Sequence, residues 1–124
     1  MNNVQLPFLV EGILILAAAL FGFLLRAKGK PYGKVKVVIH LFFFLWFTTG
    51  YGFIVYSLSA ASLTALTWTF VIVMGLAVAA QLVTGIVMLV TKTVGKTLPK
   101  IHLTSALLLF LCDLGAFLTT GTRS

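Results

Sequence analysis

The chain contains GKVKVVIHL at residues 33–41 and, 62 residues later, GKTLPKIHL at residues 95–103. In both stretches a Gly-Lys pair precedes Ile-His-Leu by the same interval, and a long apolar run follows. These two stretches hold both histidines of the protein, His40 and His102. The pattern predicts that each histidine lies one to two turns inside a hydrophobic helix, just beyond a group of lysines.

The composition around these stretches is that of a membrane protein. Of the 124 residues, 60% are hydrophobic and 9% are charged, whereas soluble domains carry about 25% charged residues. Apolar runs cover about 6–25, 35–58, 63–90 and 98–120, and about 20 such residues cross a bilayer. We therefore predict an all-α membrane protein, a single bundle of four transmembrane helices, in a prokaryotic inner (plasma) membrane. The short connection at 59–62 predicts that the second and third helices are antiparallel neighbours.

The net charge of +7 is distributed unevenly along the chain. Eight of the nine Lys and Arg residues lie in or beside the first and third loops, and only Arg123 lies at the other side. The positive-inside rule places these loops in the cytoplasm and both termini outside. Because the cations punctuate apolar runs, they indicate a lipid bilayer and not nucleic acid. The repeat also predicts two duplicated helical hairpins, in which Gly22 corresponds to Gly85.

The histidines are the first candidate site. Two imidazoles at equal depth on alternate helices of a bundle favour axial ligation of one haem iron by His40 and His102. The alternative is that each histidine hydrogen-bonds a neighbouring carbonyl. Lys36, Lys96 and Lys100 are candidate partners for the haem propionates, although the cytoplasmic end of any helix carries such lysines.

The second span is rich in aromatic residues. Phe44, Phe47 and Tyr51 share one helical face with His40, so they could pack against a porphyrin, but aromatic side chains also face lipid. Gln81, midway along the third span, is expected to hydrogen-bond across the bundle. The first and third spans contain small residues that would let helix backbones approach closely, namely Ala18, Gly22, Gly75 and Ala79.

Two carboxylic residues lie inside predicted spans. Glu11 is in the first span and Asp113 in the fourth, and an ionisable group in a span indicates function by default. Together with Tyr51 they are a candidate proton or quinone site, or a site for a transported cation. Alternatively, Glu11 lies at the membrane interface and Asp113 bonds to Thr48, Thr49 or a tyrosine.

The chain resembles the small four-helix membrane cytochromes b, in the broad style of the cytochrome b561-like and hydrogenase cytochrome b subunits. The resemblance rests on His40 and His102, in their lysine-preceded helix starts, and on the four spans. It implies a subunit with one bis-histidine haem b near the cytoplasmic side, exchanging electrons with quinone or a partner protein. It also implies association with other membrane subunits or a homo-oligomer, and an electron-transfer subunit, not a free-standing enzyme. Those families usually carry histidines for two haems, whereas this chain has ligands for one, which would not relay electrons across the bilayer by the two-haem route.

Two other functions remain open. One is a cofactor-free accessory subunit of a larger membrane complex, in which the histidines are structural. The other is a small proton-coupled transporter that uses Glu11 and Asp113, since small multidrug exporters have this size and a carboxylate in their first helix. A structural zinc fits less well, because it takes four ligands and the chain offers two histidines and the distant Cys112.

Overall fold

The computed structural model describes residues 3–59 and 63–121. This part of the chain forms α1 (Gln5–Lys28), α2 (Lys34–Leu58), α3 (Ala65–Val90) and α4 (Thr97–Gly121), and it contains no strand. All four helices are long and apolar enough to cross a membrane, so the prediction of an all-α, four-helix membrane fold is confirmed. The helix ends lie within three residues of the predicted spans.

The two largest differences in helix bounds have local causes. α1 runs on through its basic last turn to Lys28, where cations are favourable beside the helix carbonyls. It ends at Gly29, whose φ of 66° suits glycine and whose N–H donates to the Leu25 and Arg26 carbonyls. α3 begins later than predicted because the Thr64 hydroxyl accepts from the Thr67 backbone N–H at 3.1 Å and caps the helix.

The four helices form two hairpins, α1–α2 and α3–α4, which pack together through α1 and α4. This pairing agrees with the duplication predicted from the repeat. α2 and α3, which were predicted to be antiparallel neighbours, make no backbone contact comparable to those of the other neighbouring helices. A side chain spans the gap instead, with the Tyr51 hydroxyl donating to the Val71 carbonyl at 2.6 Å. Residues 60–62 of the predicted connection lie outside the described residues.

Polarity is inverted relative to a soluble bundle. Large apolar side chains such as Val35, Phe53 and Val90 point outward, with about 70% of their surface exposed. Polar side chains are buried between the helices, namely Glu11, Thr67, Gln81, Thr84, Ser105, Asp113 and Thr120. An apolar exterior is what a lipid solvent requires, because polar groups in hydrocarbon must find their partners inside the protein.

Glycines make room for side chains from the facing helix. A Cβ at Gly75 would lie 2.8 Å from the Tyr51 hydroxyl oxygen. A Cβ at Gly115 would lie 2.7–2.9 Å from three ring atoms of Phe70. The small residues were expected to bring backbones together, but at Gly75 the space is filled by an inserted side chain.

We predict that Gly115→Ala destabilises the α3–α4 hairpin, because the Phe70 ring must move as a unit to admit the methyl group. The matched control is Gly52→Ala in α2, where an added Cβ meets no atom within 4 Å. Both substitutions gain the same helix propensity, so their difference isolates the clash. We expect Gly115→Ala to unfold more easily than the control by about 1–3 kcal/mol, measured by equilibrium unfolding in detergent. Equal stabilities would show that the ring adapts freely.

Candidate functional site

The structure brings the two histidines together at the centre of one layer of the bundle. His40 comes from the second turn of α2 and His102 from the second turn of α4, so each hairpin contributes one ring. Both side chains are half-buried. Their ring centroids are 6.3 Å apart and the ring planes are tilted by 57°. Because α2 and α4 belong to different hairpins, the proximity arises only when the hairpins pack through α1 and α4.

Each histidine is held through its Nδ1 atom. His40 Nδ1 lies 2.8 Å from the Ala18 carbonyl oxygen, and since a carbonyl only accepts, this nitrogen is assigned the proton. His102 Nδ1 lies 2.7 Å from the Thr84 hydroxyl oxygen. That hydroxyl donates its own proton to the Ala80 carbonyl at 2.6 Å, so it accepts from His102.

In the neutral tautomers that these hydrogen bonds indicate, the lone pair of each ring lies on Nε2. Neither Nε2 has a hydrogen-bond partner within the described part of the chain. The alternative role considered for the histidines, a hydrogen bond to a carbonyl, is therefore what His40 makes with one of its two nitrogens. Hydrogen bonding within the described part of the chain leaves the second ring nitrogen, Nε2, of both histidines unused.

The predicted correspondence of Gly22 with Gly85 has a structural counterpart. A Cβ at Gly22 would lie 3.2 Å from His40 Cε1, and a Cβ at Gly85 would lie 3.4 Å from His102 Cε1. In each hairpin the histidine thus packs its ring against a glycine of the preceding helix. The same contact occurs twice, so the repeat extends from the sequence to the packing of the site.

A polar cluster supports the second histidine only. Gln81 donates to the His102 backbone carbonyl and, at 2.6 Å, to the Ser105 hydroxyl. The Ser105 hydroxyl in turn donates to the His102 carbonyl at 3.0 Å. The prediction that Gln81 hydrogen-bonds across the bundle is confirmed. These bonds hold the turn of α4 that carries His102 against α3.

The predicted aromatic and basic residues lie around this layer in different ways. Phe47 is 1% exposed and stacks on Tyr51 with ring centroids 6.3 Å apart, so it fills the middle of the bundle. Phe44 is half-buried. The cations stand toward the loops, where Lys36 is half-buried and Lys96 and Lys100 are exposed.

A groove opens between α2 and α3 on the loop side of the histidines. It has a volume of about 480 Å³ and is lined by Pro31, Tyr32, Lys34, Val37, Val38 and Leu89. Lys30 donates to the Thr91 carbonyl and ties the first loop to the end of α3. Val37 lies one helical turn before His40, so the groove approaches the histidine layer.

The two carboxylic residues are both in the interior of the bundle. Glu11 and Asp113 are each 3% exposed, so both carboxyl groups are enclosed between the helices. No hydrogen bond joins Asp113 to Thr48, Thr49 or a tyrosine within the described residues. Thr48 and Thr49 donate to carbonyls of their own helix, and Tyr51 donates to α3.

Sequence reasoning missed two residues that orient the histidines. Thr84 carried a usable signal, since it is a hydroxyl residue inside an apolar helix and directly precedes Gly85, the partner of Gly22 in the repeat. Ala18 carried none, because it acts through its backbone carbonyl. The described residues contain no group of three His, Cys, Asp or Glu placed to bind a metal ion. Among them, a metal site with three or more such protein ligands is therefore not present.

We predict that Gln81 and Ser105 are energetically coupled. Gln81→Leu and Ser105→Ala each remove one partner of their 2.6 Å hydrogen bond. A double-mutant cycle of unfolding in detergent should give a coupling free energy of about 0.6 kcal/mol, with an upper bound of about 1.7 kcal/mol. The control cycle combines Gln81→Leu with Thr69→Val, whose hydroxyl bonds its own helix, and should be additive. Additivity in both cycles would contradict the contact.

No protein family, curated protein or solved structure matches this chain. What the protein does is therefore argued from its own residues. Two features stand out, each in its own layer of the bundle. They are the two neighbouring imidazoles, whose Nε2 atoms have no partner among the described residues, and the two buried carboxyl groups.

Proposed function

We propose that the protein is an integral membrane b-type cytochrome, in which His40 and His102 are the axial ligands of one haem b. The observation that carries the proposal is the 6.3 Å separation of the two ring centroids. A metal–imidazole nitrogen bond is about 2 Å long. If both rings held one iron atom through Nε2, two such bonds and the distance from each nitrogen to its ring centre would place the ring centroids about 6 Å apart. The donor set of two neutral imidazoles is one that haem iron takes.

The hydrogen bonds at Nδ1 support the same role. Metal-binding histidines almost always donate their other ring N–H to a carbonyl, carboxylate or similar acceptor, which fixes the tautomer and the ring orientation. His40 donates to a backbone carbonyl and His102 to the Thr84 hydroxyl. In both rings the nitrogen left over is Nε2, and both rings belong to one chain. This favours one haem per chain over a haem shared between two subunits.

The surroundings fit a haem with its propionates toward the basic loops. Haem propionates are anions and are stabilised by cations at the membrane interface. Lys36, Lys96 and Lys100 stand at that end of the bundle. Among the aromatic residues predicted to contact the porphyrin, Phe44 stays a candidate. Phe47 stacks on Tyr51, which places it toward the far side of the layer.

The role that follows is electron transfer near the cytoplasmic surface of a prokaryotic inner membrane. When bound, the haem takes up and releases one electron. The chain's own contribution is to hold the two imidazoles, to surround them with apolar helices and to present lysines to the propionates. With a single histidine pair, electrons enter and leave on the same side, with quinone or a partner protein as donor or acceptor. Other membrane subunits, or further copies of this chain, would complete the pathway.

We predict that the detergent-purified protein, expressed with ample haem, has a low-spin b-type spectrum when reduced and carries one haem per chain. His40→Ala and His102→Ala should each abolish this spectrum or convert it to a high-spin form, because each removes one axial ligand. The measurement is a reduced-minus-oxidised absorption spectrum with haem quantified against protein. A colourless wild type would refute the cytochrome and favour the cofactor-free accessory subunit.

We predict that Thr84→Val weakens haem binding without removing a ligand. Valine keeps the shape of threonine but cannot accept from His102 Nδ1, and loss of such a partner costs about 10–100-fold in metal affinity. The matched control is Thr69→Val, which loses only a hydroxyl bond to its own helix at Ala65. Haem transfer to apomyoglobin measures the loss. Equal transfer from both variants would show that Thr84 does not support a ligand.

A further inference from the structure

The two carboxyl groups of the protein lie buried in the half of the bundle away from the basic loops. Glu11 is six residues from the start of α1, which corresponds to about 9 Å of helix. Asp113 follows His102 by eleven residues, so it lies about 16 Å along α4 from the histidine layer. Each side chain is 3% exposed. Asp113 Oδ2 would lie 2.8 Å from a Cβ at Gly12, the residue that follows Glu11, so the two carboxylic residues are neighbours in the bundle.

One oxygen atom of each carboxyl group lacks a partner among the described residues. The atoms Glu11 Oε2 and Asp113 Oδ1 are buried and have no hydrogen-bond partner within residues 3–59 and 63–121. No cation of the described residues compensates them, because the described lysines and Arg26 all lie toward the opposite end. An unpartnered charged carboxylate in an apolar interior is strongly disfavoured. Burial of two such groups therefore favours the binding of a positive charge that neutralises them.

The other titratable groups around the pair do not supply that charge. α2 contributes Tyr51, whose hydroxyl already donates to the Val71 carbonyl. α4 contributes Cys112, which is buried beside Asp113 and is neutral as a thiol. Along its whole length α3 has no acidic, basic, tyrosine or cysteine residue. The pair is thus the only source of negative charge that these elements place in the outer half of the bundle.

Close contacts with glycine limit the size of the ligand. A Cβ at Gly12 would lie 2.8 Å from Asp113 Oδ2, and a Cβ at Gly50 would collide with Glu11 Oε1. The carboxyl groups are therefore pressed into notches in the backbones of α1 and α2. A hydrated metal ion or a quinone ring needs space beside the oxygens, whereas a proton needs none.

We propose that Glu11 and Asp113 form a proton-binding site, in which the pair holds a proton at neutral pH. The proton bonds to one carboxylate oxygen and comes from water at the nearer membrane surface, about 9 Å of helix away. Two carboxylates at close range in an apolar site cannot both be ionised. The negative charge of each group therefore increases the proton affinity of the other. This site does not depend on the proposed haem.

Infrared spectroscopy tests the proposal directly, because a protonated carboxyl group has a carbonyl stretch that a carboxylate lacks. The protein is well suited, since its sequence contains only two Asp and Glu residues in total. Spectra of the wild-type protein in lipid are recorded in H₂O and in D₂O at about pH 7.5. This pH is well above the pKa of about 4 that exposed carboxyl groups ordinarily have. Glu11→Gln and Asp113→Asn are recorded singly, and the double variant is the blank.

We expect the protonated carboxyl band in the wild-type protein and its loss in the double variant. In each single variant a protonated carboxyl band should remain, because the other group is still buried, but its frequency should shift, because its neighbour is now a neutral amide. Absence of the band from the wild-type protein would overturn the proposal, and this result does not depend on whether any variant folds. A band left unchanged by one single variant would also overturn it, since one residue would then hold the proton alone.

Discussion

A hydrocarbon solvent offers no hydrogen bonds, so every polar group inside this bundle must find its partner within the protein. This constraint explains the contacts that position the histidine layer. His40 uses a backbone carbonyl of α1, His102 uses the Thr84 hydroxyl of α3, and Gln81 binds the turn of α4 around His102. Each bond joins two helices of one hairpin. The same bonds that stabilise the hairpins therefore orient the imidazoles, and site and fold share their interactions.

Glycine residues provide space for the polar side chains inside the bundle, because bulky side chains do not otherwise fit between closely packed helices. Gly22 and Gly85 receive the two histidine rings, Gly75 receives the Tyr51 hydroxyl, and Gly12 receives the Asp113 carboxyl group. A methyl group at any of these positions would meet the inserted side chain at 2.8–3.4 Å. The equivalent contacts of Gly22 and Gly85 also connect the two halves of the chain. Each hairpin carries one such glycine and one histidine. Packing the hairpin against its copy therefore brings two imidazoles together.

The bundle contains two layers of opposite chemistry. The imidazole layer lies near the lysines, its Nδ1 atoms are satisfied and its Nε2 atoms are free. The carboxyl layer lies about 16 Å away along the helices and violates the rule that governs the rest of the interior, because buried oxygens of Glu11 and Asp113 have no partner among the described residues. Buried polar groups in native proteins are nearly always paired. Each layer thus contains polar atoms without a hydrogen-bond partner among the described residues. They are the Nε2 atoms in the imidazole layer and one oxygen of each carboxyl group in the other layer.

The sequence by itself determined the helical class, the four spans to within three residues and the pairing of the two histidines, because apolar length and a repeated motif are properties of consecutive residues. It also indicated that Gly22 and Gly85 are equivalent. Only the tertiary structure decided that the hairpins pack through α1 and α4, while α2 reaches α3 through the Tyr51 hydroxyl, which donates to the Val71 carbonyl. It likewise showed that Ala18 holds His40 and that Glu11 is buried beside Asp113. Ala18 and His40 are 22 positions apart in the sequence, and Glu11 and Asp113 are 102 positions apart. No local sequence pattern encodes either proximity.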